Sequence, residues 1–224
     1  MTEKDTIPQP NSFKMLRAMA GIGAICGLLI VFTYEGTSER IEHLRDEALN
    51  EAIFKVIPGI TKIQSFTYQD DNFKLITEAS ENVIYAGYND KGEFVGVAIV
   101  ASGQGYADVI KVLYGYSPEK QQVVGFYVLE SKETPGLGDK IEKDPMFLDN
   151  FRAMDVALNE IKEALINKIK TVKNGTKSDT WEVDGITGAT ISSRAIGDIM
   201  STSTEKWIPI IYRHQDAFKK NLNE

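Results

Sequence analysis

Two threonines bracket a Gly-Ala pair in the run Asp184-Gly185-Ile186-Thr187-Gly188-Ala189-Thr190, which is followed by Ile191-Ser192-Ser193-Arg194-Ala195-Ile196-Gly197-Asp198-Ile199-Met200. Asp-Gly is a turn signal. Ile191, Ala195 and Ile199 recur at i, i+4 and i+8, a spacing that predicts a helix opening at Thr190. A helix start presents unpaired N–H groups and the positive end of the macrodipole, and small neighbours let a phosphate reach the backbone. The stretch is therefore suited to an anion. One hydroxyl would suffice to cap the helix, so the second threonine is surplus to folding and a candidate for chemistry.

Two other stretches have the composition of ligand loops. Glu133-Thr134-Pro135-Gly136-Leu137-Gly138-Asp139-Lys140 combines a fixed proline φ with two glycines that permit close backbone approach to a flat ligand. Gly103-Gln104-Gly105-Tyr106 is a glycine-rich turn with an aromatic at its end. Each is also readable as a plain turn.

The rest of the composition narrows the chemistry. A chain of 224 residues, 42% of them hydrophobic, can bury one good core, which predicts one main domain. A net charge of −7 without clustered Lys and Arg argues against nucleic-acid binding. Cys26 is the single cysteine, leaving no intrachain disulfide and no thiolate set for an iron–sulfur cluster. With His43 and His214 as the two histidines, zinc is equally unsupported. A redox cofactor would have to be organic or held without cysteine.

The elements that must position these residues follow in order. Residues 1–14 are polar, contain Pro8 and Pro10 and are expected to form a disordered arm. The seventeen positions from Ala18 to Tyr34 carry no charge, and Met15, Leu16 and a snorkelling Arg17 lengthen them to a membrane helix over residues 15–35. No Ala-x-Ala-like cleavage site follows, so the helix is expected to be retained as an anchor. Lys4, Lys14 and Arg17 precede it, which places the N-terminus in the cytoplasm and the rest outside. Gly23 and Gly27 make a small-residue stripe able to pack against another membrane helix. Ile41, Leu44, Ala48, Ala52 and Val56 continue as an amphipathic connecting helix over residues 36–62, stopped at Ile57-Pro58-Gly59. Six β-branched and aromatic runs (63–68, 73–77, 83–88, 94–100, 109–116 and 123–129) with turn signals at Asn89–Gly92 and Ser117–Lys120 predict an antiparallel sheet. Met146–Met154 reads as a short helix, and Leu158, Ile161, Leu165, Ile169 and Val172 as another. Trp181-Glu182-Val183 reads as a short strand before the threonine motif, and the last helix is expected to run to about Leu222 with a break at Pro209.

Asp184-x-Ile186-Thr187-Gly188-Ala189-Thr190 resembles the acceptor motif of the FMN-binding domain family, in which a flavin transferase esterifies the last threonine with the phosphate of FMN. Glu133–Gly138 is similar to that family's Glu-Thr-Pro-Gly-Leu-Gly segment, and Gly103–Tyr106 to its Gly-x-Gly-Tyr stretch. The best-known members are the G subunit of the Rnf complex and the C subunit of the sodium-translocating NADH:quinone reductase. Thr187 stands where Ser is common, and Asp139-Lys140 is more like the Rnf protein.

The resemblance implies an α+β fold: one N-terminal transmembrane helix, then an antiparallel-sheet FMN-binding domain over residues 63–208 with flanking helices, and a C-terminal helical tail over 209–224. It implies one covalent FMN on Thr190, with Thr187, Gly188, Ala189 and Asp184 as recognition frame and Glu133, Thr134, Pro135, Gly136 and Leu137 lining the flavin. It further implies an electron relay within a bacterial inner-membrane complex that couples ferredoxin or NADH oxidation to ion transport. The FMN domain would lie on the outer side, with other redox subunits as partners and a flavin transferase for maturation. The residues show no independent acid–base set. The alternatives are the quinone-reductase member of the family, a self-contained flavin reductase, and a flavin-free membrane-anchored binding or assembly module.

Overall fold

The computed structural model describes residues 12–76 and 82–220. Most of the expected N-terminal arm, and the chain from Asn221 through Leu222 to Glu224, lie outside the described residues. Ser12–Lys14 already belong to a helix, α1 (Ser12–Val56), rather than to the arm. The chain divides into two compact units between Glu47 and Ala48.

In the first unit α1 contains an 18-residue window of mean hydropathy 2.1 with no buried residue. Leu28, Leu29 and Phe32 stand exposed, which in water would be an unsustainable apolar surface. It fits a single-pass membrane anchor. Glu35 and Gly36, where the sequence suggests a change of element, do not interrupt the helix. The Thr33 hydroxyl donates to the Leu29 carbonyl at 2.7 Å and that of Thr37 to the Thr33 carbonyl at 2.8 Å, so these residues satisfy themselves within the helix.

In the second unit the end of α1 stops at Val56, just before Pro58, and Gly59 turns the chain with φ +86°. Six strands follow: β1 (Lys62–Gln69), β2 (Asn72–Ile76), β3 (Val83–Tyr88), β4 (Phe94–Gln104), β5 (Val109–Ser117) and β6 (Gln122–Glu130). They match the alternating runs to within a few residues at each end. Asn89 closes the β3–β4 hairpin by accepting the N–H groups of Lys91 and Glu93 on its side-chain oxygen at 3.0 and 2.9 Å.

Then come α2 (Lys140–Lys143), α3 (Pro145–Asp149), β7 (Met154–Asp155), β8 (Lys170–Val172), β9 (Glu182–Asp184), α4 (Thr190–Arg213) and α5 (Gln215–Lys220). The main sheet is antiparallel with order β2-β1-β3-β4-β5-β6-β7, while β8 and β9 form a separate parallel pair. Period-two alternation gives the sheet two buried faces. Val97, Ile99, Ile110, Val112, Tyr114 and Tyr116 point into a core shared with α4 and α5. Ala98 and Leu113 point the other way, against Ala52, Ile53, Val56 and Ile57 at the end of α1.

Three expectations need correction. The apolar residues from Leu158 to Val172 do not form a helix. Leu158 and Leu165 instead meet in an isolated antiparallel bridge. The intervening turn is closed by the Asn159 side-chain oxygen, which accepts the Glu163 N–H at 3.1 Å, and Lys162 takes φ +58°. Ile161 and Ile166 are consequently exposed, and Val172 lies in a strand. The second correction shortens Met146–Met154 to α3, which Asp144 caps by accepting the Met146 N–H at 3.0 Å. Met154 pairs with Val123 at the sheet edge. The third concerns Pro209, which α4 passes through unbroken; the helix ends at His214, whose N–H reaches the Ile210 carbonyl.

Candidate functional site

The threonine run forms the turn from β9 into α4. Gly188 adopts φ +85°, a conformation that side chains resist, and nothing would contact a Cβ placed there. The local lock is Ser193. Its buried hydroxyl donates to the Ala189 carbonyl at 2.7 Å and accepts the Ile186 N–H at 3.2 Å, holding the turn from inside the helix. Ala189, at the N-cap, offers no side-chain cap. The start of this 24-residue helix is therefore left open, with Thr190 exposed on it.

Thr190 lies on a ridge between two depressions. One, of about 340 Å³, is lined by Tyr106, Glu133, Thr134, Leu137, Gly138, Gly188, Ala189, Ile191 and Ser192 as well as Thr190. Tyr106, Leu137 and Ile191 are more than half exposed, an apolar cluster kept in solvent beside a polar helix start. The other, of about 220 Å³, is the more polar of the two: Thr171, Lys173, Asn174, Thr187 and Arg194 line it together with Thr190, beside Val172 and Ile186.

Glu133 ties the first depression together. Its buried carboxylate accepts the N–H groups of Tyr106 and Ala107 at 2.8 and 3.0 Å on Oε1, and the Ser192 hydroxyl at 2.5 Å on Oε2. A Cβ at Gly105 or Gly138 would come within 2.5 Å of one or other of these oxygens. Glycine at both positions thus makes room for the clasp. Glu133 joins the β4–β5 turn, the loop after β6 and the first turn of α4, so its oxygens are spent on positioning.

Asp184 plays the same part on the polar side and lines neither depression. Its carboxylate accepts the Gly175 N–H at 2.7 Å, and its backbone N–H donates to the Asn150 side-chain oxygen at 3.0 Å. Lys177 also donates to that oxygen, at 2.9 Å. Asn174 donates to the Gly185 carbonyl at 2.7 Å. Of the residues expected in the frame, Thr187, Gly188, Ala189 and Thr190 are brought together with Glu133, Thr134 and Leu137. Pro135 and Gly136 are exposed on the loop but line neither depression. The sequence reading missed Ser192, Ser193, Lys173 and Asn174 and placed Ile191 on the buried stripe. Two adjacent serines in the first turn of a helix otherwise rich in apolar residues were the available signal, since Ser there is retained for hydrogen bonds.

The β8–β9 link beneath the polar depression depends on Glu182, which is buried. It accepts the Ser178 N–H at 2.8 Å and pairs with Lys170 at 2.9 Å. These contacts, the Ser178 N–H foremost, hold its carboxyl down to about 2. A carboxyl depressed on folding stabilises above its unfolded pKa and loses that contribution as pH falls through the folded value. The loop 173–181 is therefore expected to loosen between the ordinary value of 4.5 and about 2, seen as faster amide exchange at Thr171 and Val183. Glu182→Gln should abolish that step; an identical acid profile in the variant would remove Glu182 as its cause.

Among the described residues no group of three or more His, Cys, Asp or Glu is placed to hold a metal. Residues 105–204, which contain the site loops and the threonine run, match the model of the FMN-binding domain. The G subunit of an ion-translocating oxidoreductase complex from Pseudoalteromonas atlantica is 30% identical over 182 residues, 75% of either chain. The chain belongs to the family of these G subunits. The Methanosarcina acetivorans member is 28% identical over 195 residues, covering 86% of this chain and 92% of its own. In fold the chain is similar to NqrC from Shewanella oneidensis, with TM-score 0.56 and 19% identity over 80% of this chain and 97% of that one. It is likewise similar to the C subunit of the Na(+)-translocating NADH-quinone reductase from Parabacteroides distasonis, with TM-score 0.58, 18% identity and coverage of 77% and 96%. The expected α+β architecture and FMN-binding family are thereby borne out.

Proposed function

We propose that this G-subunit family member carries one FMN as a phosphoester on Thr190 and relays electrons within a membrane-bound, ion-translocating oxidoreductase complex. The observation that carries the proposal is the placement of Thr190: an exposed hydroxyl on an uncapped helix start, with a polar depression on one side and an apolar one on the other. The residues fit the group. Gly188 leaves open space beside the hydroxyl, the first turn of α4 leaves N–H groups for phosphate oxygens, and Tyr106, Leu137 and Ile191 offer apolar surface to a flat ring.

FMN, when bound, supplies one- and two-electron chemistry. The chain supplies attachment and placement. Glu133 holds three backbone segments around the apolar depression, and Ser193 holds the turn that presents Thr190. Ester formation replaces the Thr190 hydroxyl hydrogen, which leaves as a proton, with the flavin phosphoryl group. A flavin transferase takes that group from a phosphoanhydride donor, whose other half departs with the electron pair of the broken P–O bond. A helix start stabilises the remaining negative charge by about 0.3–1 kcal/mol, less than tenfold in affinity, so the covalent bond is what retains the cofactor. The N-terminus is assigned to the cytoplasm, on the charge of Lys4, Lys14 and Arg17, and the FMN domain to the outer side of the cell membrane. Relatives of up to 30% identity named as G subunits favour that complex over the quinone reductase, to which the likeness is one of fold.

The test is the intact mass of the full-length chain purified after expression with and without a flavin transferase. One added FMN less one water, on the peptide containing Thr190 and dependent on the transferase, is the expected result. An unmodified mass with the transferase active would sink the proposal and leave a flavin-free anchored module.

A further inference from the structure

The polar depression beside Thr190 departs from the electrostatics of the molecule around it. The chain has 32 acidic against 25 basic residues, yet among the described residues the lining contains two cations, Lys173 and Arg194, and no carboxylate. Neighbouring cations are engaged elsewhere. Lys168 pairs with Glu205 at 2.6 Å, Lys170 with Glu182 at 2.9 Å, and Lys177 donates to Asn150 at 2.9 Å. Lys173 and Arg194 have no ion pair or side-chain hydrogen bond to any described residue.

Both are also delivered to the same place by independent pieces of structure. Arg194 follows Thr190 by four residues, hence stands on the same face of α4, and helical side chains lean over the turn that precedes them, here the turn holding Thr190. Lys173 sits at the end of β8 in a loop fastened at several points. Its carbonyl accepts the Thr176 N–H at 2.9 Å and the Thr176 hydroxyl at 2.7 Å, while Asn174 and Gly175 are anchored to Gly185 and Asp184. A loop tied so firmly does not collapse onto the depression. Two unpaired cations lining one depression repel, and an anion bound there removes that cost while accepting the guanidinium fork and the ammonium hydrogens.

We propose that Lys173 and Arg194 form the anion seat of this site: they receive the flavin phosphoryl group as it is delivered to Thr190 and neutralise the diester afterwards. The inference rests on the reading of Thr190 as the attachment residue and adds to it which side of the ridge takes the phosphate, leaving the apolar side for the ring. It also gives the seat a defined task. The flavin phosphoryl group carries one negative charge both in the anhydride donor and in the diester on Thr190, so the same two cations serve it on either side of the transfer. Free FMN, a monoester of about −1.5 to −2 charge near neutral pH, is a sensitive probe of the seat. Lys173 and Arg194 are positioning residues, and Thr190 alone forms the bond.

The experiment uses the full-length chain in detergent, expressed without a flavin transferase so that Thr190 is free. It is titrated with FMN and, separately, with riboflavin, which has the same ring but no phosphate, following quenching of flavin fluorescence at low and high salt. FMN should bind roughly tenfold more tightly than riboflavin at low salt, the sum expected of two exposed charge contacts, with the preference shrinking as salt rises. In Lys173→Gln/Arg194→Gln that roughly tenfold contribution should be lost, leaving at most the few-fold preference that the helix start supplies, while riboflavin binding stays unchanged, which a merely structural role would not produce. Equal binding of FMN and riboflavin by the wild type, no binding of either, or an undiminished preference in the double variant overturns the inference. If the double variant does not fold, Arg194→Gln alone decides: the preference falls to roughly a third, and a full preference counts against the seat. Failure of the attachment reading shows elsewhere, as an unmodified wild-type mass after expression with the transferase.

Discussion

Thr190→Ala, expressed with an active flavin transferase, is expected to yield a full-length chain of unmodified mass with no flavin fluorescence after denaturation. The loss should be complete, since no other atom of the run can take the ester in the same position. Thr187 also carries an exposed hydroxyl, but it lines the polar depression alone, whereas Thr190 borders both. An ester at Thr187 would leave the ring without the surface of Tyr106, Leu137 and Ile191. Thr187→Ala should therefore lower loading without moving the adduct from Thr190. Stability supplies the control. Thr190 is exposed, its side chain caps nothing, and Ala is the better helix former, so Thr190→Ala should shift unfolding by no more than about 0.5 kcal/mol. A flavin band that survives in Thr190→Ala and disappears in Thr187→Ala would transfer the assignment to Thr187.

The sheet was legible in the sequence because its strands satisfy two local rules at once. Val97, Ile99 and Ala101 on one face alternate with Ala98 and Val100 on the other, and Asn89 and Gly92 terminate the pairing with side-chain and backbone bonds within five residues. The segment from Leu158 to Val172 was misread because spacing of three and four is equally met by a loop whose leucines meet across a bridge. Turn chemistry at Asn159 and Lys162 decided it, and neither residue is a strong breaker. At the site, Thr190 was legible because motif and helix start coincide in ten residues. The bond from Ser192 to Glu133 spans 59 positions, and the meeting of Lys173 and Arg194 on one depression requires β8 to run beside α4. Such pairs are products of topology, and one sequence does not contain the topology.

The second large effect is expected at Gly115→Ala, far from the threonine run. Gly115 and Gly125 are partners on β5 and β6, and the last turn of α1 sits directly over them. A Cβ on Gly115 would lie 2.0 Å from the Val56 carbonyl oxygen and 2.7 Å from its carbon; one on Gly125 would lie 2.5 Å from the same oxygen. The obstruction is backbone, so no rotamer change relieves it. Either the helix end lifts or the two strands move, and both routes open the interface where Ala52, Ile53, Val56 and Ile57 are buried almost completely. Overpacking of this kind costs about 3 kcal/mol, which for a domain of this size lowers the melting temperature by roughly 6–12 °C. Gly59→Ala separates steric obstruction from glycine conformation, because Gly59 has φ +86° but open space around a built Cβ, and it should cost only about 1–2 kcal/mol. The measurement is thermal unfolding of the full-length protein in detergent for the three chains. Gly115→Ala melting with the wild type would mean that the close seat of Val56 on the sheet contributes nothing to stability, whereas the expected loss makes the glycine pair the reason a helix can end on β5, the strand that begins directly after the Tyr106 turn of the flavin site.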